Sequence, residues 1–379
     1  MPETTRQTEC SAARTLYVAF ELSGKTWRLA VTTDRGERPR HYSVASGDLG
    51  AVQERLARAR THGQLPPDTV VVSCYEAGRE GFWLHRALTA QGIRNVVVDA
   101  TSIERDRRAK AVKTDRVDAE RLLELLVAWT EGRKRLRTVR VPSAADEDAR
   151  HADRELATLK GVRTTLVNRI TGLLGAQGIR LRLTPARPVA VAALRDWAGA
   201  PLGPGLSGRL TRELEELAAM RARIASLERA RETALTTAAT PATAQMARLV
   251  QVRGIGANGA SRLVVEFFAW RAFRNGREVG ALAGLTPTPY QSGAVAREQG
   301  ISKAGNARVR TIAIELAWCW LRFQPASALA QWYQARFGAG SRRQRRVGIV
   351  ALARKLLIAL WRYLDAGVVP DGAIVSAAA

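Results

Sequence analysis

Cysteine is scarce. Cys10, Cys74 and Cys319 are the only three in 379 residues. They supply no disulfide framework and no zinc-ligand spacing, and a reducing cytoplasm is the expected setting. Histidine is nearly as rare. His41, His62, His85 and His151 are scattered without metal-ligand spacing, so any metal is expected on carboxylates. Long apolar runs are missing. The best stretch, Val347 to Trp361, is interrupted by Arg354 and Lys355 and falls short of the ~20 apolar residues that span a bilayer. The N-terminus is polar and has no signal-type apolar core. Acid is under-represented too. Asp plus Glu number 35 against 59 Lys plus Arg, a formal net charge of +24. Such an excess is out of scale for an enzyme of small metabolites. It implies a polyanionic partner, nucleic acid ahead of an acidic membrane surface.

The most informative stretch present is Lys113-Thr114-Asp115-Arg116-Val117-Asp118-Ala119. The apolar helix that follows puts Asp115 and Asp118 on one face of its first turn. Two adjacent like charges call for a cation between them, and clustered hard oxygens suit magnesium. Two more acids end apolar β-type runs: Glu21 after Leu16–Phe20, and Glu76 after Val70–Tyr75. Carboxylates at strand ends, converging with a helix-borne pair, form the pattern of a metal-dependent phosphoryl-transfer site. Taken alone, Asp115 and Asp118 fit a helix cap and a dipole-complementing acid equally well. The combination is what favours the metal.

Periodicity divides the chain. Residues 1–14 read as a disordered polar arm. Strands are expected at Leu16–Leu22, Thr26–Thr33, Arg40–Ala45, Val70–Tyr75 and Val96–Val98, and helices at Leu49–Ala59 and Phe82–Gln91. The order β-β-β-α-β-α-β-α with acids at strand ends is that of an RNase H-like fold. From about 147 the chain turns helical. Leu156, Leu159, Leu166, Ile170 and Leu173, then Leu210, Leu214, Leu217, Ile224 and Leu227, make heptad-like seams suited to an antiparallel coiled-coil hairpin or to dimerisation. Pro and Gly cluster between Pro185 and Gly208, and Thr236–Thr243 reads as a linker. From Met246 a further unit begins. Val252-Arg253-Gly254-Ile255-Gly256 before an apolar helix is helix-hairpin-helix-like, a weak signal beside a plain helix turn. A long helix is expected from Ala307, and Arg342, Arg343, Arg345 and Arg346 open a basic amphipathic helix. Further basic clusters are Arg105, Arg107, Arg108, Lys110 and Lys113, and then Arg133, Lys134, Arg135 and Arg137.

Several of these motifs, in this order, resemble one known family. They are Tyr75-Glu76-Ala77-Gly78, the Lys113–Ala119 run, Val252–Gly256, Gly284-Leu285-Thr286-Pro287, Ser292-Gly293 and Ser302-Lys303-Ala304-Gly305-Asn306. The family is the DEDD-type insertion-sequence transposases with a serine-bearing C-terminal domain, the IS one-ten and IS eleven-eleven groups of RNA-guided recombinases. The resemblance spans roughly residues 15–340. It implies an α/β plus all-α architecture: a RuvC-like metal-binding domain (15–141), a helical coiled-coil region (142–243), a serine-bearing, mainly helical transposase domain (244–340) and a basic C-terminal helix and tail (341–379). It further implies a metal site of Glu21, Glu76, Asp115 and Asp118 holding Mg2+ or Mn2+, and Ser292 as the nucleophile on DNA. The implied partners are element and target DNA, a non-coding guide RNA, and further copies of the chain as a dimer or tetramer. One departure stands out. The family's first acid is aspartate in a strand reading roughly G-x-D-x-S-K, and here Glu21 takes that place. Asp34, the nearest substitute, sits in a turn. Tyr290 is a rival nucleophile two residues from Ser292. Two other readings stay open: a metal-dependent nuclease or junction resolvase with Ser292 structural, and an inactivated nucleic-acid-binding relative.

Overall fold

The computed structural model describes residues 14–34, 36–100, 103, 115–186, 188–292 and 295–376; the side chains of 115, 292 and 295–298 lie outside that description. The expected arm, Arg14 apart, and the basic residues Arg105, Arg107, Arg108, Lys110 and Lys113 fall outside the described residues. The chain divides into two compact units, 1–141 and 142–379.

The first unit is built on β1 (Leu16–Leu22), β2 (Thr26–Thr32), β3 (Arg40–Ala45), β4 (Val71–Glu76) and β5 (Arg94–Val98). They form one sheet in the order β3-β2-β1-β4-β5. The β1–β2 and β2–β3 pairs are antiparallel, and β1–β4 and β4–β5 are parallel. The helices are α1 (Leu49–His62), α2 (Trp83–Ala90) and α3 (Asp115–Thr130). Both sheet faces are covered, which is why β1 and β4 read as nearly unbroken apolar runs rather than alternating ones. On one face Leu16, Val18, Phe20, Val71 and Tyr75 pack with Val52 and Leu56 of α1 and with Leu84 and Leu88 of α2. On the other, Ala19, Ala30, Val72, Cys74 and Val98 pack with Ala119, Leu122, Leu123 and Leu126 of α3. Asp48 caps α1 by accepting from the Ala51 amide.

The second unit opens with α4 (Ala144–Asp148), held by a Ser143–Asp146 capping box. Then come the long helices α5 (His151–Gly175) and α6 (Pro204–Thr237). Leu166, Ile170 and Leu174 meet Leu210 and Leu217 in a shared core. The ion pairs Lys160–Glu228 (2.7 Å) and Arg169–Glu213 (2.9 Å) run in opposite chain senses, so α5 and α6 form an antiparallel pair. The last residues of the Pro/Gly-rich stretch are helical: Pro204 occupies the first turn of α6, where its missing N–H costs nothing. One expectation is corrected here. The Ala/Thr-rich stretch 236–243 is not a linker. Thr237 ends α6, Ala238 caps it, and a Thr240–Thr243 capping box with Pro241 in the first turn starts α7 (Pro241–Gln251).

α8 (Ala257–Leu263) runs on as a π-helical turn, Val264–Phe268, and α9 (Gly276–Leu282) leads to the hairpin β6 (Pro287–Ser292) and β7 (Val295–Ile301). α10 (Ala307–Phe323), α11 (Ala328–Tyr333) and α12 (Arg342–Ala366) complete the unit. In α10, Val309, Ile312, Ala313, Leu316, Ala317 and Trp320 recur at three- and four-residue steps. That stripe shares a core with Ile349, Leu352, Leu356 and Leu360 of α12. Residues 341–366 therefore belong to the same core as α7–α10. Trp320 is fully buried, and its indole N–H donates to Ser327 Oγ at 2.8 Å.

Candidate active site and nucleic-acid interface

The parallel register pairs Phe20 with Tyr75. Glu21 and Glu76 are the next residues along, side by side on strands about 4.8 Å apart. Side chains alternate along a strand, so Glu21 follows Tyr17 and Ala19, and Glu76 follows Val72 and Cys74, on the face covered by α3. Two contacts fix the direction of α3. Cys74 Sγ lies 3.7 Å from the Leu122 carbonyl. The Arg94 guanidinium, at the start of β5, lies 5.9 Å from the centre of the Trp129 ring. The C-terminal part of α3 is therefore at the strand starts and its first turn at the strand ends. Asp118 precedes Leu122 by one turn, about 6 Å along the helix. Glu76 follows Cys74 by two residues, about 6.6 Å along the strand. The backbone thus brings Glu21, Glu76 and Asp118 to one edge of one face, with Asp115 at the first position of α3.

The donor chemistry is all carboxylate, a hard-oxygen set that suits magnesium or manganese. Among the described residues no group of three His, Cys, Asp or Glu side chains comes close enough to hold a metal ion. Asp118 turns toward Arg121, 3.9 Å away, and the Asp115 side chain lies outside the described residues. A neighbouring acid, Glu120, has a different role. Burial raises its carboxyl, but hydrogen bonds from Arg116 and His41 outweigh that and hold it below its ordinary value. It ties α3 to β3 through His41 at 2.7 Å. Cys74 is fully buried, and desolvation pushes its thiol far above the usual range.

Ser292 is the last residue of β6 and pairs with Val295 across the hairpin. Gly293 and the Ser292 side chain lie outside the described residues. Tyr290 is 43% exposed on the same strand. The hairpin's roots are tightly knotted. Gly284 has φ +69, and a Cβ there would stand 2.5 Å from the Ala304 carbonyl oxygen. Gly305 has φ +109, and a Cβ there would run into the Leu282 carbonyl. Neither site admits another residue, so both motif glycines have a steric cause.

The sequence reading missed Glu266. It lies in the π-helical turn and is 1% exposed. Its carboxylate accepts two hydrogen bonds from Arg154, at 2.8 and 3.0 Å, and one from Asn306 Nδ2 at 3.3 Å. Asn306 in turn caps α10 through the Arg308 and Val309 amides. Burial raises the Glu266 carboxyl; the Arg154 and Asn306 hydrogen bonds and the Arg154 charge more than offset this and hold it low. The same pairing raises Arg154. The legible signal was a single acid inside the apolar run Val264-Val265-Glu266-Phe267-Phe268.

Arg342, Arg343, Arg345 and Arg346 are all exposed in the opening turns of α12. Cations are disfavoured at a helix N-terminus, so this placement serves something other than helix stability. Gly254, in the turn between α7 and α8, has φ +92 and packs against Phe323, so a plain helix turn accounts for that glycine. No helix among the described residues is long and apolar enough to cross a membrane.

Residues 246–333 match the family described as Transposase IS116/IS110/IS902. A candidate transposase of Sinorhizobium fredii, y4rJ, is 40% identical over 95% of this chain and 94% of its own length. A candidate family 20 transposase of Pseudomonas aeruginosa is 34% identical over 83% of this chain and 89% of its own. The transposase for insertion sequence element IS1328 of Yersinia enterocolitica is 28% identical over 69% and 74%.

Proposed function

The chain belongs to the IS116/IS110/IS902 family of insertion-sequence transposases, and from that premise we propose how it acts. It cuts and rejoins element and target DNA through a serine–phosphate intermediate on Ser292, with a carboxylate-held divalent metal, and a non-coding guide RNA selects the site. The first unit works as an RNase H-like, RuvC-like domain, a reading supported by the strand order β3-β2-β1-β4-β5. The α5–α6 pair serves as the coiled coil through which copies assemble as a dimer or tetramer.

The observation that carries this reading is the register of Glu21 beside Glu76 under the first turn of α3. Glu21, Glu76, Asp115 and Asp118 would hold magnesium or manganese, which when bound supplies Lewis-acid polarisation of phosphate oxygens. The Ser292 Oγ attacks phosphorus; an Oγ–P bond forms and a bridging P–O bond of the strand breaks, its oxygen taking a proton. A hydroxyl of the partner strand then attacks the same phosphorus and releases the serine. Each step exchanges one phosphodiester for another, so no external energy source is needed.

Strand exchange measured with Asp118→Asn and Glu76→Gln tests the metal role. Both variants are expected to lose exchange while keeping DNA and RNA affinity. Parental activity in either removes the acid cluster from the mechanism.

A further inference from the structure

The β6–β7 hairpin pairs with no other strand among the described residues. Its setting is therefore fixed where it leaves the helical core. Three backbone bonds make that root. The Ser302 amide donates to the Thr286 carbonyl at 2.8 Å, the Lys303 amide to the Gly284 carbonyl at 3.1 Å, and the Asn306 amide to the Leu282 carbonyl at 2.9 Å. β6 starts at Pro287, one residue beyond Thr286.

Asn306 does more than close the root. Its side-chain oxygen caps α10. Its side-chain amide donates to both the carbonyl and the carboxylate of Glu266, each at 3.3 Å. On its other side that carboxylate takes the Arg154 fork, Nε and Nη2 on separate oxygens at 2.8 and 3.0 Å. A two-point pair of this kind fixes direction as well as distance. Arg154 stands in the first turn of α5, and its neighbours seat that turn. Arg150 Nε donates to the Val265 carbonyl at 3.2 Å, and Asp153 accepts from Arg262 at 3.2 Å. Arg150, Asp153 and Glu266 are all buried. Buried ion pairs stabilise poorly beside apolar packing of the same volume, and a single enforced geometry is the use they serve better. The π-helical turn that carries Glu266 is a feature found mostly at functional sites. Here it sets one carboxylate between α5 and the hairpin root.

We propose that Arg154 and Glu266 are positioning residues for strand exchange: the Arg154–Glu266–Asn306 relay sets the hairpin root against α5, and so sets where β6 presents Ser292. The last step rests on the serine reading above; the hold on the root does not. The relay acts through the backbone at Asn306 and leaves DNA affinity to other residues.

The test uses the full chain, with Arg154→Met, Arg154→Lys and Asn306→Ser beside the parent, all assayed well below their melting temperatures. Asn306→Ser keeps an oxygen that can cap α10 but loses the amide that reaches Glu266. Two quantities are read: single-turnover strand exchange at saturating DNA, and native-state hydrogen exchange at the Ser302, Lys303 and Asn306 amides. Arg154→Met and Asn306→Ser should slow turnover about ten- to a hundredfold, the scale of a small misplacement of a reacting group, with DNA affinity unchanged. Both should speed hydrogen exchange at those three amides while Leu352 and Leu356 of α12 keep their protection. Arg154→Lys, which keeps the charge, should recover part of the turnover. The Arg154→Met, Asn306→Ser double variant should be little slower than the worse single, since both cut the same relay. Asn306→Ser carries the test alone should Arg154→Met fail to fold. Parental turnover in a folded variant, a loss confined to DNA affinity, or protection lost evenly through α10 and α12 would each overturn the proposal. Strand exchange that persists in Ser292→Ala would remove the serine reading, whereas unchanged protection of the three root amides in Arg154→Met would remove the relay, so the two ideas fail separately.

Discussion

Replacing Glu266 by Gln keeps the side chain's size and removes its charge. In the parent, the carboxylate sits at 1% exposure with three hydrogen bonds from Arg154 and Asn306. Burial raises this carboxyl, and Arg154 with Asn306 pulls it below its ordinary value. A carboxyl depressed in the folded state stabilises fully above its unfolded value, near 4.5. That contribution is lost as pH falls through the lower, folded value. Breaking a fully buried pair costs about 3–5 kcal/mol. Arg154 is 40% exposed and recovers solvation, so the expected loss at neutral pH is about 2 kcal/mol. For a unit of this size that lowers the melting temperature by about 4–8 °C. The assay is thermal unfolding of the parent, Glu266→Gln, Arg154→Met and the double variant, at neutral pH and at a series of pH values falling below 4.5. The gap between parent and Glu266→Gln should shrink as the series descends, and the double variant should cost less than the sum of the singles. A gap of constant size across the whole acid series would refute the electrostatic account of Glu266.

Gly305→Ala should destabilise the second unit by about 3 kcal/mol, read by denaturant unfolding, because its Cβ meets the Leu282 carbonyl. Neutralising Arg342, Arg343, Arg345 and Arg346 together should weaken nucleic-acid binding and its salt dependence without changing the sequence chosen, as gel-shift competition would show. Glu21→Asp should keep or raise strand exchange, because the shorter carboxylate suits magnesium's tight geometry; complete loss would mean that Glu21 has a different function.

The first unit was largely legible in the sequence. Strands buried on both faces are continuous apolar runs, and their limits fell within a residue or two. Glu21 and Glu76 were named as strand ends, but their register is a long-range pairing that no local pattern encodes. The Thr236–Thr243 stretch misled because small residues suggest a linker, whereas Thr240 and Pro241 are a helix start. The α5–α6 pair was readable from its leucine spacing. Glu266 was not found, since burial of one acid depends on Arg154 and Asn306, distant in the chain. The knotted hairpin root was equally hidden: Gly284 and Gly305 were visible as motif letters, but their cause is an approach between backbones.

The most direct measurement of the central claim is to trap the reaction on DNA and map the attached residue by peptide mass spectrometry. The account expects a phosphodiester adduct on Ser292, absent in Ser292→Ala, whose fold and guide-RNA binding remain intact. An adduct on Tyr290, or one that persists in Ser292→Ala, would contradict it.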